Sequence, residues 1–175
     1  MSRGRPSQPT RMDPKQEKPR MQERIDQTAP GLRNSNQPLE DIATAGQPEA
    51  EHLQRLAAAG YRTVIDLREP GEDRGLDEPD TVRRAGMEYV NVPVGHIFVA
   101  HDTFDRFRKL MADPRRRPVL VHCTSANRVG ALLIAYLVLD EAMSTEEASQ
   151  TAYRVGLRSE KLRREALRYS ANQRD

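Results

Sequence analysis

The residues best suited to chemistry are a cysteine and an arginine that stand five positions apart in one short segment. That segment reads Val119-Leu120-Val121-His122-Cys123-Thr124-Ser125-Ala126-Asn127-Arg128. A thiolate is a strong nucleophile, and a guanidinium can hold two oxygens of a phosphate-like dianion with its planar fork of N–H groups. Cys123 and Arg128 therefore suggest attack of a sulfur on a bound oxyanion.

Cys123 follows an apolar strand and precedes an apolar helix. Val119 to Val121 is typical of a buried strand, and Val129 to Leu139 is nearly all apolar, which indicates a helix inside the core. In a parallel α/β sheet, ligands bind at the carboxyl ends of the strands, where backbone N–H groups and the positive end of a helix dipole meet. These groups and Arg128 favour the thiolate of Cys123 and form a cradle for a dianion.

Upstream of this segment, short β-branched runs alternate with helical patterns. We predict strands at Leu39–Thr44, Thr63–Leu67, Tyr89–Val92 and Val119–Val121, and helices that begin near Pro48, lie within Asp77–Ala85 and cover about Thr103–Met111. This alternation predicts parallel strands with right-handed crossovers. The capping pattern at Ser144 predicts another helix, and about Glu160 to Tyr169 a final one. We expect an α/β fold with a small, mainly parallel sheet of about four strands, flanked by helices and followed by a helical C-terminal part.

The composition of the first 36 residues differs from that of the rest. The chain has 175 residues, enough for one ordinary domain. Residues 1–36 are rich in Pro, Arg and Gln without apolar periodicity, so we predict a disordered basic tail there and the folded domain over 37–175. Residues 1–33 hold eight basic and four acidic residues, whereas 34–175 hold 20 and 22. Because the positive excess lies in the tail, we expect no nucleic-acid partner for the domain.

The chain carries no sequence signal for a membrane, for export or for a metal. Its longest apolar stretch, Val129 to Leu139, has eleven residues, about half of what a membrane span needs. The first residues lack an apolar export segment, and Cys123 is the single cysteine. We therefore expect a cytoplasmic protein without a membrane partner or disulfides. The four histidines lack metal-ligand spacing, so we predict no metal site.

The segment around Cys123 resembles the active-site loop of the Cys-dependent protein tyrosine and dual-specificity phosphatases. The resemblance rests on the histidine before the cysteine, the spacing to Arg128, and the strand and helix on either side. Two upstream motifs bring the chain closest to the small bacterial phosphatase-like group: Gly46-Gln47-Pro48 at a helix start and Val64-Ile65-Asp66-Leu67-Arg68 in a strand. The likeness runs from about Asp41 to Leu139.

This resemblance implies hydrolysis of phosphomonoesters without a metal or organic cofactor. Cys123 would attack phosphorus, Arg128 would stabilise the phosphate oxygens, and water would then hydrolyse the phosphocysteine. His122 would orient the loop and tune the thiol without transferring a proton itself. The substrate would be a phosphorylated protein or small molecule, and its phosphate would be bound by the loop residues Thr124, Ser125, Ala126, Asn127 and Arg128.

The loop departs from the family's pattern at two positions. Ala126 stands where glycine is usual, so the loop must accommodate a Cβ atom. Val129 replaces the serine or threonine whose hydroxyl bonds the leaving thiolate. Turnover is therefore expected to be slow unless Thr124 or Ser125 supplies a hydroxyl.

The general acid also departs from the pattern. Relatives carry an aspartate in the loop after the strand that is here Tyr89–Val92, and this chain has His96 nearest that place. Because imidazole exchanges protons near neutral pH, we place His96 first. Asp102 is the rival carboxylate, although its position before a predicted helix also fits an N-cap.

Two other functions stay open at this point. A phosphate-binding module with little or no turnover would agree with Val129 and the missing aspartate. A rhodanese-like sulfurtransferase also uses a strand-end cysteine in an anion-binding loop, on a different α/β fold. We therefore predict a Cys-dependent phosphatase, with these two functions as the alternatives.

Overall fold

The computed structural model describes residues 24–174, and its centre is a five-stranded sheet. The strands are β1 (Asn36–Leu39), β2 (Ile42–Ala45), β3 (Thr63–Asp66), β4 (Glu88–Asn91) and β5 (Val119–His122). Their order across the sheet is β1-β2-β5-β3-β4, with β1 antiparallel to β2 and the other neighbours parallel. The predicted α/β class with a mainly parallel sheet is confirmed.

Helices connect the parallel strands and form the C-terminal part. They are α1 (Ala50–Ala58), α2 (Glu78–Arg84), α3 (His101–Ala112), α4 (Asn127–Leu139), α5 (Thr145–Val155) and α6 (Glu160–Asn172), with a 3₁₀ turn at Pro114–Arg116. The capping pattern predicted at Ser144 does begin α5, because the Ser144 hydroxyl accepts from the Glu147 N–H and the Glu147 carboxylate accepts from the Ser144 N–H.

Neighbouring residues of the central strands pack into two different cores. Ile65 and Val121 belong to a core shared with α3, α4, α5 and α6, whereas Val64 and Leu120 belong to one shared with α1 and α2. Successive side chains of a strand point to opposite faces, so a strand covered on both sides must be apolar throughout. This burial holds the carboxyl ends of β2, β3 and β5 along one edge of the sheet.

Helix α4 runs through the larger core. Its residues from Arg128 to Val138 are all buried, as the apolar sequence predicts. Gly130 permits a close neighbour, because a Cβ atom there would lie 2.7 Å from the Cβ of Leu157. Within residues 24–174, no helix combines the length and the apolar character that crossing a membrane requires. The surrounding packing fixes α4 and therefore the loop at its N-terminus.

The segment predicted as one strand, Leu39 to Thr44, is a hairpin. Glu40 and Asp41 form the turn between β1 and β2, and Leu39 pairs with Ile42. Hairpin turns of two residues usually carry Asn-Gly, Asp-Gly or Gly-Gly, and none of these occurs here. The sheet therefore has one more strand than the predicted four.

Residues 24–36 differ from the predicted disordered tail. Residues 24–28 are helical, and Ile25, Ala29 and Leu32 are buried in the core shared with α1 and α2. Their spacing of four and three residues is that of one helix face, but three apolar residues in a polar, proline-rich segment are a weak signal. The remainder of the predicted tail, 1–23, lies outside the described residues.

Candidate active site

Cys123 lies where three parallel strands end. It follows β5 directly, and its N–H donates to the carbonyl of Ala45 at the end of β2 over 3.3 Å. The residue is 1% exposed. Helix α4 begins at Asn127, so the loop from Cys123 to Ala126 connects a strand end to the N-terminus of a buried helix. This is the position that the sequence predicts for an anion site.

Two peptides of the loop are oriented by bonds from outside it. The carbonyl of Thr124 accepts from the Gln47 N–H at 3.1 Å, and the carbonyl of Ser125 accepts from Asn34 Nδ2 at 3.1 Å. In a trans peptide, N–H and C=O point in opposite directions. The N–H groups of the next residues, Ser125 and Ala126, therefore point away from these partners.

Ala126 has a backbone conformation that glycine usually adopts. Its φ is 68°, in the left-handed region. The space for its side chain comes from Gly156, since a Cβ atom at Gly156 would lie 3.0 Å from the Cβ of Ala126. The loop thus accommodates its alanine with the help of a glycine that follows α5.

Arg128 lies in the first turn of α4 and is 2% exposed. Its Nη1 donates to Glu72 Oε2 at 2.7 Å and to the carbonyl of Val94 at 3.1 Å. Its Nη2 donates to Glu72 Oε1 at 2.8 Å and to Thr124 Oγ1 at 3.0 Å. Burial lowers the pKa of Arg128, but the hydrogen bond to Glu72 and the charge of nearby Cys123 raise it by more. The guanidinium is therefore a fixed cation beside the sulfur.

Glu72 is a site residue that the sequence analysis missed. Besides Arg128, it accepts from Arg68 Nε at 3.3 Å and from the N–H of Glu69 at 2.6 Å. The hydrogen bond from Arg128 is the main reason why the pKa of Glu72 lies well below its ordinary value. Glu72 follows β3, the neighbour of β5 in the sheet, so the strand order is the signal that could have indicated it.

The remaining loop residues have distinct contacts. The Thr124 hydroxyl accepts from Arg128 and faces Glu72 Oε1 at 3.4 Å. The Asn127 side chain accepts from the N–H groups of Arg158 and Ser159, at 2.7 and 3.1 Å, and so fixes the connection between α5 and α6. Val129 is fully buried. The Thr124 hydroxyl, one of the two predicted substitutes for a hydroxyl at Val129, is thus engaged with the Arg128–Glu72 pair.

The two candidates for the general acid lie in different surroundings. His96 has 63% of its side chain exposed, and its Nε2 lies 4.0 Å from Glu72 Oε1, at the mouth of the site. Asp102 is exposed in the first turn of α3. The N-cap of that helix is Ala100, so the N-cap interpretation of Asp102 is wrong. The Glu72 carboxylate therefore lies between His96 and the guanidinium of Arg128.

Among residues 24–174, two groups of side chains bring possible metal ligands within 4.8 Å of one another: Glu69 with Glu72 and His96, and Asp66 with Glu78 and His122. In both groups a carboxylate already accepts from an arginine. Glu72 is paired with Arg128, and Asp66 accepts from Arg74 Nε at 2.6 Å. At least one carboxylate of each group is therefore already paired with a guanidinium.

A family model and a curated relative match most of this chain. The family model is PTP-NADK, described as a DSP-PTPase phosphatase fused to NAD+ kinase, and it matches residues 22–170. A beta-lactamase hydrolase-like protein from Xylella fastidiosa is 33% identical over 121 residues, which cover 67% of this chain and 28% of that protein. The chain therefore spans little more than a quarter of the length of this curated relative.

Solved structures share the fold. A DUF442 protein from Shewanella putrefaciens CN-32 matches with a TM-score of 0.74 and 25% identity, covering 84% of this chain and 97% of the other. TpbA from P. aeruginosa, in a variant solved in complex with pTyr, matches with a TM-score of 0.61 and 20% identity, covering 78% and 82% of the two chains.

Proposed function

Because this chain belongs to the PTP-NADK family of DSP-PTPase phosphatases, we propose that it hydrolyses phosphomonoesters through a phosphocysteine intermediate on Cys123. The observation that carries the proposal is the position of Cys123 at the N-terminus of α4, with the buried guanidinium of Arg128 closing over the same loop. Nucleophile and oxyanion clamp thus come from one rigid strand-loop-helix unit. Preorganised donors of this kind stabilise charge that develops in a transition state.

The donors of Arg128 limit how a phosphate can bind. Its two terminal nitrogens have four N–H groups, and these are bonded to Glu72 twice, to Val94 and to Thr124. A phosphate held by two oxygens needs two N–H groups, so it takes the Nε–H and displaces one present acceptor. The neutral Thr124 hydroxyl is a weaker acceptor than the Glu72 carboxylate. We therefore infer that the phosphate replaces Thr124 and that Glu72 stays on Arg128.

The chemistry then has two steps. The Cys123 thiolate forms an S–P bond while the P–O bond to the leaving group breaks, and the leaving oxygen takes a proton from His96. Water next attacks phosphorus, its proton passes to His96, and the S–P bond breaks to release phosphate and the thiolate. Because Val129 offers no hydroxyl to the departing sulfur, the second step limits turnover. Phosphorylated proteins and small phosphate esters present the same dianion to this loop.

The test is release of phosphate from p-nitrophenyl phosphate by the wild-type protein and by Cys123→Ser. We expect turnover in the wild type, none in the variant, and an intact-protein mass that gains one phosphoryl group when the reaction is stopped in acid. Turnover that survives in Cys123→Ser would refute the proposal. Arg106→Lys is the matched control, because Arg106 is exposed on α3.

A phosphate-binding module is the second candidate, and Val129 is the observation that favours it. Binding of vanadate to the Cys123 loop without any phosphate release would identify such a module. The family match favours the phosphatase over the rhodanese-like sulfurtransferase. A persulfide on Cys123 after incubation with thiosulfate would reverse that preference.

A further inference from the structure

The ring of His122 lies beneath the Cys123 loop, between two hydrogen-bond acceptors. Its Nδ1 faces the carbonyl oxygen of Cys123 at 3.2 Å, and its Nε2 is hydrogen-bonded to a carboxylate oxygen of Glu78. His122 and Glu78 are both 0% exposed. The reaction steps proposed above use neither of these contacts.

Two acceptors on one imidazole require two N–H donors. A neutral ring has one, so one of its nitrogens would face an oxygen lone pair to lone pair, which is costly in a buried site. Burial lowers the pKa of His122, but the hydrogen bond and charge of Glu78, together with the charge of Asp66, raise it by more. With Glu78 as a carboxylate, this geometry requires a protonated ring, and the pKa of His122 accordingly lies above its ordinary value.

Glu78 is fixed in turn by other elements. Its second carboxylate oxygen accepts from Gln47 Nε2 at 2.8 Å, and Arg74 Nε lies 3.7 Å away. The other charge that faces the ring is Asp66, 3.8 Å from the Nε2 of His122 and bonded to Arg74. Two carboxylates are thus balanced by two cations, of which His122 is the one next to Cys123.

The resemblance already assigns tuning of the Cys123 thiol to His122. We propose that Glu78 is the positioning residue on which this tuning depends, because its carboxylate holds the His122 ring in place and keeps it positively charged beneath the Cys123 loop. The inference rests on the proposed function, in which the Cys123 thiolate is the nucleophile. Because His122 lies between Glu78 and Cys123, the positive end of the pair is nearer to the sulfur and stabilises an anion there. The Nδ1–H bond to the Cys123 carbonyl also orients the first peptide of the loop.

The test is the pH dependence of Cys123 alkylation by iodoacetamide in the wild-type protein and in Glu78→Gln. Glutamine has nearly the same shape and can donate to Nε2 of a neutral ring, which keeps its Nδ1–H on the Cys123 carbonyl. The substitution therefore removes the charge and retains the contacts. We expect the alkylation midpoint to move up by about one pH unit, and the acidic limb of kcat/KM to move with it while KM changes little.

Two further variants separate charge from structure. Glu78→Asp keeps the carboxylate and should restore part of the wild-type midpoint. Asp80→Asn removes a carboxylate from the same helix that is paired with Arg84 on the surface, and it should leave the midpoint unchanged. Should Glu78→Gln not fold, nitrogen NMR of the wild-type protein gives the answer directly, because both ring nitrogens of His122 should carry protons at neutral pH.

Two results would overturn the inference: the same alkylation midpoint in Glu78→Gln as in the wild type, or a neutral His122 ring in the wild type. A wild-type midpoint near that of an ordinary thiol, about 8.5, is a different result. It would contradict the proposed function itself, so the two failures are distinguishable.

Discussion

Glu72 and Arg128 form a bidentate ion pair across the mouth of the site, with Nη1 at 2.7 Å from one carboxylate oxygen and Nη2 at 2.8 Å from the other. The pair joins the loop after β3 to the first turn of α4. It holds the plane of the guanidinium in one orientation. The Glu72 carboxylate thus orients the guanidinium and also occupies two of its N–H groups.

This ion pair predicts an acid-sensitive contribution to stability. The pKa of Glu72 is lower in the folded protein than its ordinary value of 4.5. The carboxylate therefore stabilises the fold above that ordinary value, and the contribution is lost as the pH falls through the lower folded-state pKa. We expect Glu72→Gln to reduce the free energy of unfolding at pH 7 by roughly 1.5–3 kcal/mol, the range for hydrogen bonds to charged groups.

Urea unfolding of both proteins between pH 7 and pH 3 measures this difference. The difference in unfolding free energy between the wild-type protein and Glu72→Gln should be constant near neutral pH and should become smaller in the acidic range. Glu69→Gln is the control, because it removes an exposed carboxylate three residues away and should change little. If this difference became larger on acidification, Glu72 would not act as a paired carboxylate.

Arg128→Lys tests the planar fork of the guanidinium. Lysine keeps the positive charge but cannot donate to Glu72 and to phosphate in parallel. We expect kcat for p-nitrophenyl phosphate to fall about 10²–10³-fold, as on removal of an oxyanion donor. Steady-state kinetics measure the fall, with exposed Arg106→Lys as the control. A loss of less than about tenfold would mean that a point charge suffices, contrary to the role of a fork.

The parts of the site that lie next to each other in sequence could be predicted, and the parts brought together by the sheet could not. Cys123 and Arg128 belong to one strand-loop-helix unit, so their spacing alone indicates an anion cradle. Glu72 and Glu78 reach this unit from positions 56 and 44 residues away. Only the strand order places them there, because β3 lies beside β5. A pattern of residue types carries no such information before the topology is known.

The fold shows the same limit. Helix α4 and the inner strands follow from long or strongly apolar runs, whose burial outweighs local preferences. The hairpin turn at Glu40 and Asp41 and the helical residues 24–28 depend instead on contacts with the sheet, such as the burial of Ile25. Their local sequences lack the turn residues or the long periodicity that would have predicted them.

The proposed general acid predicts a dependence on the leaving group. An alkyl oxygen needs a proton as the P–O bond breaks, whereas p-nitrophenolate leaves readily without one. Because kcat/KM reports the first step, we expect His96→Asn to reduce kcat/KM for an alkyl phosphate such as phosphoserine by about 10²-fold or more, and to reduce it far less for p-nitrophenyl phosphate. Steady-state kinetics of the wild-type protein and His96→Asn on both substrates measure the two losses, and their ratio gives the leaving-group dependence.

Asp102→Asn is the matched variant for this prediction. Asp102 is exposed in the first turn of α3, so its loss should affect both substrates equally and weakly. If the leaving-group dependence appeared in Asp102→Asn and not in His96→Asn, the two roles would be exchanged.

Val129 predicts a slow second step that a hydroxyl would accelerate. The side chain is fully buried directly after Arg128, where the resemblance places a hydroxyl near the departing sulfur. Val129→Thr keeps the shape and supplies that group. We expect stopped-flow traces of p-nitrophenolate release to show a burst in the wild type, and a smaller burst with a faster steady rate in the variant. Val129→Ala removes methyl groups without adding a hydroxyl, so an equal acceleration there would attribute the effect to packing.

Ala126 and Gly156 predict a coupled pair of substitutions. Gly156 has a φ of 141°, and a Cβ atom there would lie 3.0 Å from both the Ala126 Cβ and the Ser125 carbonyl oxygen. Gly156→Ala is therefore strained by its backbone and also presses on the loop. We expect it to destabilise the fold by about 1–3 kcal/mol and to lower kcat. Ala126→Gly removes one of the two crowded atoms, so the double variant should recover part of both losses.

A double-mutant cycle on unfolding free energy and kcat measures this coupling. Gly60 supplies the control, because its φ is 95° and a Cβ atom there would meet nothing within 4 Å. Gly60→Ala should carry the backbone strain alone, and its effect should add to that of Ala126→Gly without recovery. If the effects of Gly156→Ala and Ala126→Gly on unfolding free energy and kcat were also additive, the two Cβ atoms would not compete for the same space. The loop from Cys123 to Ala126 would then accommodate the extra Cβ atom by shifting its backbone. The loop would therefore be less rigid than its position beside the packed helix α4 suggests.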